Sequence, residues 1–282
     1  MKKIVIAIWV FCMTLLVIPI APVQAQNSEV GVCVGSMFYI GELNQAKPLA
    51  FDKFHLAYGL VYRYNISPRW AVKASFLFGE VSASDAKTNN GNQRNLSFTS
   101  PITDFSVVGE LNFLQLHTST GKNHFAPYIF AGATVFSFDP MAEYKGQTYH
   151  LQSFGTEGQG LVDSLKKYSL TSFAIPFGIG FRFNIGSHVS IGAEWGMRYT
   201  FTDYLDDVSG MYYDNGKLRD VRGDLIANLA DRTPEIGGEI HGFEVRGNPK
   251  TKDFYSFAGA TVTVRFGNAD RTCDLKKKRK KY

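Results

Sequence analysis

Cysteine is scarce: Cys12, Cys33 and Cys273 are the only three in 282 residues. A disulfide-dense scaffold is therefore excluded. Metal-ligand spacing is missing as well. The six histidines, at positions 55, 117, 124, 150, 188 and 241, are scattered, with no pair at the separation of a metal site. There is no Gly-x-Ser-x-Gly elbow and no phosphate-binding loop. Spacing alone sets no serine beside a histidine and a carboxylate. The expectation is a protein without enzymatic activity and without a cofactor. Past the first twenty positions, no apolar run nears the roughly 20 residues that a helical membrane span requires.

That first stretch is the exception. Lys2 and Lys3 precede an apolar run over residues 4–20, and small residues around Val23-Gln24-Ala25 suit cleavage before Gln26. Residues 1–25 read as an export signal; the competing reading is a retained membrane helix. Export removes Cys12 and places Cys33 and Cys273 in an oxidising compartment, where one disulfide can form.

A net charge of +5 suggests a basic protein, but Lys276, Lys277, Lys278, Arg279, Lys280 and Lys281 alone carry six positive charges. The rest of the chain is close to neutral. A nucleic-acid binder spreads its basic residues over a folded face among aromatics; here they form a tail. Nucleic acid is not an expected partner.

Aromatics are plentiful, with 23 Phe and 14 Tyr, and many segments alternate with the period of a strand. Residues 189–201 are the clearest. Val189, Ile191, Ala193, Trp195, Met197, Tyr199 and Phe201 share one face; Ser190, Gly192, Glu194, Gly196, Arg198 and Thr200 share the other. Residues 173–183 repeat the pattern, and residues 30–40, 54–64, 70–78, 102–114, 125–138 and 254–266 follow it with less contrast. Eight strands are expected, or ten if the longest loop, 202–253, hides a hairpin.

A soluble sandwich also alternates. Two features favour a transmembrane antiparallel up-and-down β-barrel. The face opposite the apolar one carries Arg63, Lys73, Asp104, Glu110, Glu194, Arg198 and Arg265 in mid-strand, with both signs present. In a narrow barrel such groups must pair. The connections also alternate: 65–69, 117–124 and 185–188 are short, whereas 42–53, 81–100, 139–168 and 202–253 are long. Short periplasmic turns and four long outer loops are the pattern of an outer-membrane barrel. Both termini would then lie in the periplasm. Tyr62, Tyr64, Trp70, Phe181, Phe183 and Phe266 would belong to the interfacial girdle. An eight-stranded barrel has an interior that side chains fill, so Arg63, Glu110, Arg182, Glu194, Arg198 and Arg265 are expected to form an internal ion-pair network. A selective conductance or proton path is the competing use of those charges.

The domain reading is a signal peptide at 1–25, a barrel at 26–267 and a basic periplasmic tail at 268–282. Asp203, Asp206 and Asp207 cluster just past a strand end and are weak calcium candidates, because oxygen-rich loops suit that ion. Aspartates near a turn more often cap the backbone. Cys33 and Cys273 could pair with each other, Cys273 could bridge to a partner, or both could stay free. The basic run could be a solvated end, or could dock on an acidic partner or on lipid head groups.

Several stretches match together: Asn95-Leu96-Ser97-Phe98 with Ser100-Pro101-Ile102; Thr156-Glu157-Gly158-Gln159-Gly160; Ile175-Pro176-Phe177-Gly178-Ile179-Gly180-Phe181; Glu194-Trp195-Gly196; and Phe201-Thr202-Asp203-Tyr204-Leu205-Asp206-Asp207-Val208-Ser209 with Leu229-Ala230-Asp231-Arg232. In this order they resemble the PorG-type outer-membrane barrels of the type IX (Por) secretion system of Bacteroidetes, over nearly the whole mature chain. The resemblance implies a barrel that anchors or docks the periplasmic ring proteins PorK and PorN at the outer membrane. It favours a docking role for the basic run from Lys276 to Lys281 and brings no catalytic residues; on an anchoring reading that run would attract acidic surface and Cys273 could lock the contact. An OmpA-like structural or surface-adhesive barrel is the alternative.

Overall fold

Strand periodicity predicts the architecture, and the computed structural model describes it for residues 28–41, 43, 54–85, 94–116, 124–162 and 165–266. The proposed signal peptide and the basic tail, with Cys273 and Lys276 to Lys281, lie outside the described residues.

Ten strands form in chain order: β1 (Ser28–Ile40), β2 (His55–Asn65), β3 (Trp70–Ser84), β4 (Ser97–Asn112), β5 (Phe125–Phe138), β6 (Met141–Tyr144), β7 (Gln147–His150), β8 (Thr171–Ile185), β9 (Val189–Thr200) and β10 (Phe254–Phe266). Eight of them pair antiparallel in the cyclic order β3-β2-β1-β10-β9-β8-β5-β4, and the β3–β4 ladder closes the ring. The first and last barrel strands are neighbours from Ser28↔Phe266 to Ile40↔Phe254. The fold is an eight-stranded, closed antiparallel barrel.

The tenfold alternative had the right hairpin count and the wrong place. The β6–β7 hairpin stands in the 139–168 connection, touches the barrel through Thr99↔Met141, and takes no part in closure. The longest connection instead folds into two short helices, α2 (Asn215–Arg222) and α3 (Asp224–Ala230), after α1 (Leu151–Phe154) in the preceding one. The 81–100 loop is also shorter than expected, because β3 reaches Ser84 and β4 begins at Ser97. Small polar residues carry the outward alternation there, so the apolar signal fades before the strand ends.

Alternation assigns the faces. Val30, Val32, Val34, Leu60, Phe105, Ile129, Phe177, Ile179, Trp195 and Val262 all remain exposed on the outside. Such a band suits lipid and would be costly in water. Among the described residues no helix is long and apolar enough to cross a membrane. Inward positions are buried, and glycines make room for large rings. A Cβ at Gly180 would stand 2.3 Å from the Tyr128 ring, and one at Gly196 would stand 2.6 Å from Phe130. The rings of Tyr128 and Phe130 fill space that a side chain there would occupy.

Candidate functional site

Three regions gather the residues singled out by the sequence or display an apolar surface: the interior, the cap opposite the chain ends, and the exposed surface of that cap.

In the interior half nearer the chain ends, charges meet across the barrel. Arg63 on β2 donates to Glu110 on β4 at 2.8 Å and 3.2 Å, and to Glu29 on β1 at 3.2 Å. Lys73 on β3 reaches Glu194 on β9 at 2.5 Å and Glu110 at 3.5 Å. Arg182 approaches Glu110 at 3.7 Å, and Arg265 donates to Glu29. Higher up, Asp104 accepts from Arg198 at 3.3 Å and from Tyr255 at 2.7 Å. Lys73 also lies 4.7 Å from the Phe130 ring centroid.

All the predicted network members, Arg63, Glu110, Arg182, Glu194, Arg198 and Arg265, therefore lie inside, each facing an opposite charge. Glu29 was missed. It precedes the first apolar residue of β1, so periodicity gave it no face; its register partners Arg63 and Arg265 were the signal. Desolvating so many charges is tolerable only with this degree of pairing. The contacts from β3 to β9 and from β2 to β4 span the lumen, so the interior is a packed core.

Toward the capped end, the lumen turns apolar. Met37, Leu77, Val81, Ile102, Phe136 and Phe257 form one cluster with Leu205 and Val208 from the long 201–253 connection. That connection thus plugs the barrel mouth. The acidic stretch holds the plug in place. Tyr39 on the wall donates to Asp206 at 2.7 Å and to Asp253 at 2.8 Å. Asp206 also accepts from the Val208 amide at 3.0 Å, and Asp203 accepts from the Ser209 hydroxyl at 2.6 Å.

Asp207 is buried among donors: Thr156 at 2.5 Å, Tyr168 at 2.6 Å and the Arg246 guanidinium at 3.7 Å. Arg246 also binds Glu157 at 3.0 Å, and Glu157 in turn accepts from the amides of Ser209 and Gly210. Burial pushes the Asp207 carboxyl up to about 6, with Arg246 and the two hydroxyls pulling the other way. The ion cluster joins the 139–170 connection to the 201–253 connection.

Asp203, Asp206 and Asp207 are thus distributed among separate protein donors and do not converge on a cation. Among the described residues, no group of three or more His, Cys, Asp or Glu is arranged to hold a metal. The aspartates cap and tie the backbone instead. Arg246 and Glu157, which complete their network, could not be read from spacing because they lie 89 residues apart. Cys33 faces inward on β1 at 2% exposure with no disulfide among the described residues, about midway along the strand rather than near the chain-end rim; Cys273 lies outside the described residues.

Above the plug, the backbone turns back on itself around buried Asp231. This carboxylate accepts from the Thr233 amide at 3.1 Å and the His241 amide at 2.7 Å, and the His241 ring stacks on Tyr212 at 4.4 Å. The loop so pinned displays Ile236, Ile240, Phe243 and Val245, the last 74% exposed. Glu235, Glu239 and Glu244 lie among them, and residues 233–245 contain no Lys or Arg.

The model of a family described as a domain of unknown function, DUF6089, matches residues 8–230. No curated protein matches the chain. Among solved structures, it is similar to the N-terminal β-barrel domain of Pseudomonas aeruginosa OprF, at 10% identity over 86% of this chain and 98% of that one, with a TM-score of 0.37. Neisserial surface protein A is similar at 10% identity over 85% of this chain and 97% of that one, with a TM-score of 0.42. So is Ail, the attachment invasion locus protein of Yersinia pestis, in a structure with the heparin analogue sucrose octasulfate: 12% identity, 85% of this chain, 99% of that one, TM-score 0.38. These likenesses are of fold alone.

Proposed function

The chain belongs to the DUF6089 family, a domain of unknown function, and from its own architecture we propose that it is an outer-membrane anchor for a protein-export machine. The observation that carries this reading is the filled lumen. Charges bridged across the barrel and a cap plugged by Leu205 and Val208 fill the lumen among the described residues, which favours action through the ends of the barrel. Both ends of the barrel domain leave the same rim, the one with the three shorter turns. In the outer membrane that rim faces the periplasm, and the basic run begins at Lys276, ten residues after the last barrel strand ends at Phe266.

The resemblance to PorG-type barrels supplies the partner: the PorK and PorN ring of the type IX secretion system. The shorter turns offer few side chains each, so the tail carries most of the reach. Lys276 to Lys281 attract an acidic ring surface or lipid head groups, and Cys273 can lock a contact covalently. Removing residues 275–282 should strip ring proteins from the purified barrel while leaving it heat-modifiable on a gel. Unchanged recovery of both ring proteins would refute the tail's role, and a barrel that never co-purifies with them would refute the anchor itself.

A second reading rests on the displayed apolar loop. Ile236, Ile240, Phe243 and Val245, set among three glutamates on a pinned backbone, suit a structural or adhesive barrel that contacts other surfaces from its capped end. Binding of intact cells to immobilised host or bacterial surfaces, compared with an I240S/F243S variant, separates the two readings.

A further inference from the structure

Outside the lumen and the cap, one cluster joins a nucleophile, a base and an acid. The β2–β3 ladder ends at Tyr58↔Phe78, while β3 goes on pairing with β4 through Ser84↔Ser97. Where β2 and β3 part, His55 bridges the gap. Its Nε2 lies 2.7 Å from Ser82 Oγ, and its Nδ1 lies 3.0 Å from Glu80 Oε1. With the ring proton on Nδ1, His55 donates to Glu80 and accepts the Ser82 hydroxyl hydrogen. That is the order of contacts that activates a serine. The Ser36 hydroxyl donates to the His55 carbonyl at 2.9 Å and fixes the base from the other side.

The cluster is reachable. His55 and Glu80 are 30% and 40% exposed. Val81 and Ala83 point into the core, so Glu80 and Ser82 share the outward face of β3. Leu56 and Phe54 on β2's side, with Tyr58 and Phe78 below, make the adjoining surface apolar and exposed. From Trp70 at one rim to Ser82, β3 advances twelve residues, about 40 Å along the strand and about 30 Å along the axis at a tilt of about 40°. That is one hydrocarbon thickness. If Trp70 sits at one interface, Ser82 sits at the other, at the depth where lipid ester bonds meet water. Gly79–Ala83 also lie beyond the last β2–β3 pair among the described residues, so the edge of β3 beside Ser82 carries backbone amides, donors of the kind that steady an oxyanion.

We propose that Ser82, His55 and Glu80 form a hydrolase site for the acyl esters of membrane lipids. Ser82 Oγ attacks the ester carbonyl while His55 Nε2 takes the hydroxyl proton. The carbonyl–oxygen bond to the lipid alcohol breaks, and His55 passes the proton to the departing oxygen. Water then attacks the acyl-serine, giving its proton to His55 and through it restoring the Ser82 hydroxyl. A fatty acid and a deacylated lipid leave. Ser82 and His55 are the catalytic residues; Glu80 positions the imidazole and stabilises its charged form.

The test uses the full chain folded in detergent, with heat-modifiability as the check on folding. It is exposed to a fluorophosphonate probe, then placed in vesicles of phosphatidylethanolamine or in vesicles carrying lipid A. The folded protein should take the probe at Ser82 and release fatty acid from at least one vesicle type, which names the lipid. S82A should abolish labelling and release, and H55N should cut release by at least about 100-fold, the scale of a lost general base. Glu80→Gln should lower the rate and alter the acid limb of the pH–rate profile, which a structural role would leave in place. No fatty acid from either vesicle by the folded protein overturns the proposal, with or without labelling. Release unchanged in S82A does so too.

Discussion

Arg63 holds Glu110 with two parallel hydrogen bonds, Nε to Oε2 at 2.8 Å and Nη2 to Oε1 at 3.2 Å, both residues almost wholly buried. This fork lies at the centre of the lumen network, since Glu110 also meets Lys73 and Arg182. Arg63→Met leaves Glu29 and Glu110 short of a partner. A loss of about 3–5 kcal/mol is expected, the usual result of removing one member of a buried pair. Urea titration of the barrel folded in vesicles measures it. The R63M/E110L double variant should not recover the loss, because removing Glu110 also takes away the carboxylate that Arg182 and Lys73 face.

Asp207 makes the cap sensitive to pH. Its carboxyl is pushed up to about 6 from an ordinary 3.8, so the folded cap holds the proton more tightly than the unfolded chain. The stability this contributes is present in full below about pH 4 and is lost as pH rises through about 6. Protection factors for hydrogen exchange over residues 202–212, taken relative to the intrinsic base-catalysed rate at each pH, should therefore be lower at pH 7 than at pH 5. Asp207→Asn should flatten that difference; an identical difference in the variant would clear Asp207 of the effect.

Gly180 faces the Tyr128 ring, and an added Cβ would stand 2.3 Å from Cζ and 2.5 Å from the hydroxyl. Tyr128 also donates to Glu194 at 2.9 Å, so it cannot swing away without leaving that carboxylate. Gly180→Ala should cost about 1–3 kcal/mol through overpacking. Tyr128→Phe in the same background should restore little, since the ring itself is in the way. Midpoints of heat-modifiability on gels rank the variants.

Cys33 lies on the inner wall at 2% exposure. A maleimide added to the folded barrel should leave it unmodified, and denaturation should expose it. Mass mapping of the same sample, with and without reductant, reports whether Cys273 is bridged to it, bridged elsewhere or free.

Most of the barrel was legible because period two is read locally. Ile175 to Phe181 announce their faces without reference to any neighbour, and all eight barrel strands fall where alternation places them. The lumen charges were legible for the same reason, apart from Glu29 at the edge of its strand. What escaped depends on contacts distant in sequence. Glu157 and Arg246 meet across two loops, and Asp203, Asp206 and Asp207 look like a cation site until Tyr39, Thr156 and Tyr168 are placed beside them. His55 and Ser82 are 27 residues apart. The hairpin register set by Tyr58↔Phe78 puts position 55 across from position 81, with Glu80 and Ser82 on either side. That arithmetic was available once the turn was fixed, but the parting of the strands that lets one imidazole meet both was not.

The neighbouring of β1 and β10 sets an order on assembly. Glu29 finds Arg63 soon after it is made, but Arg265 and Thr263 arrive 236 and 234 residues later. Until that final strand is delivered, a carboxylate destined for the lumen lacks half its donors, and two sheet edges stay open. Closing so long a loop is slow compared with pairing adjacent hairpins. The seven other strands can therefore be threaded and paired in succession, yet none of them is sealed. The last strand acts as a latch: the ring becomes watertight only when β10 pairs with β1.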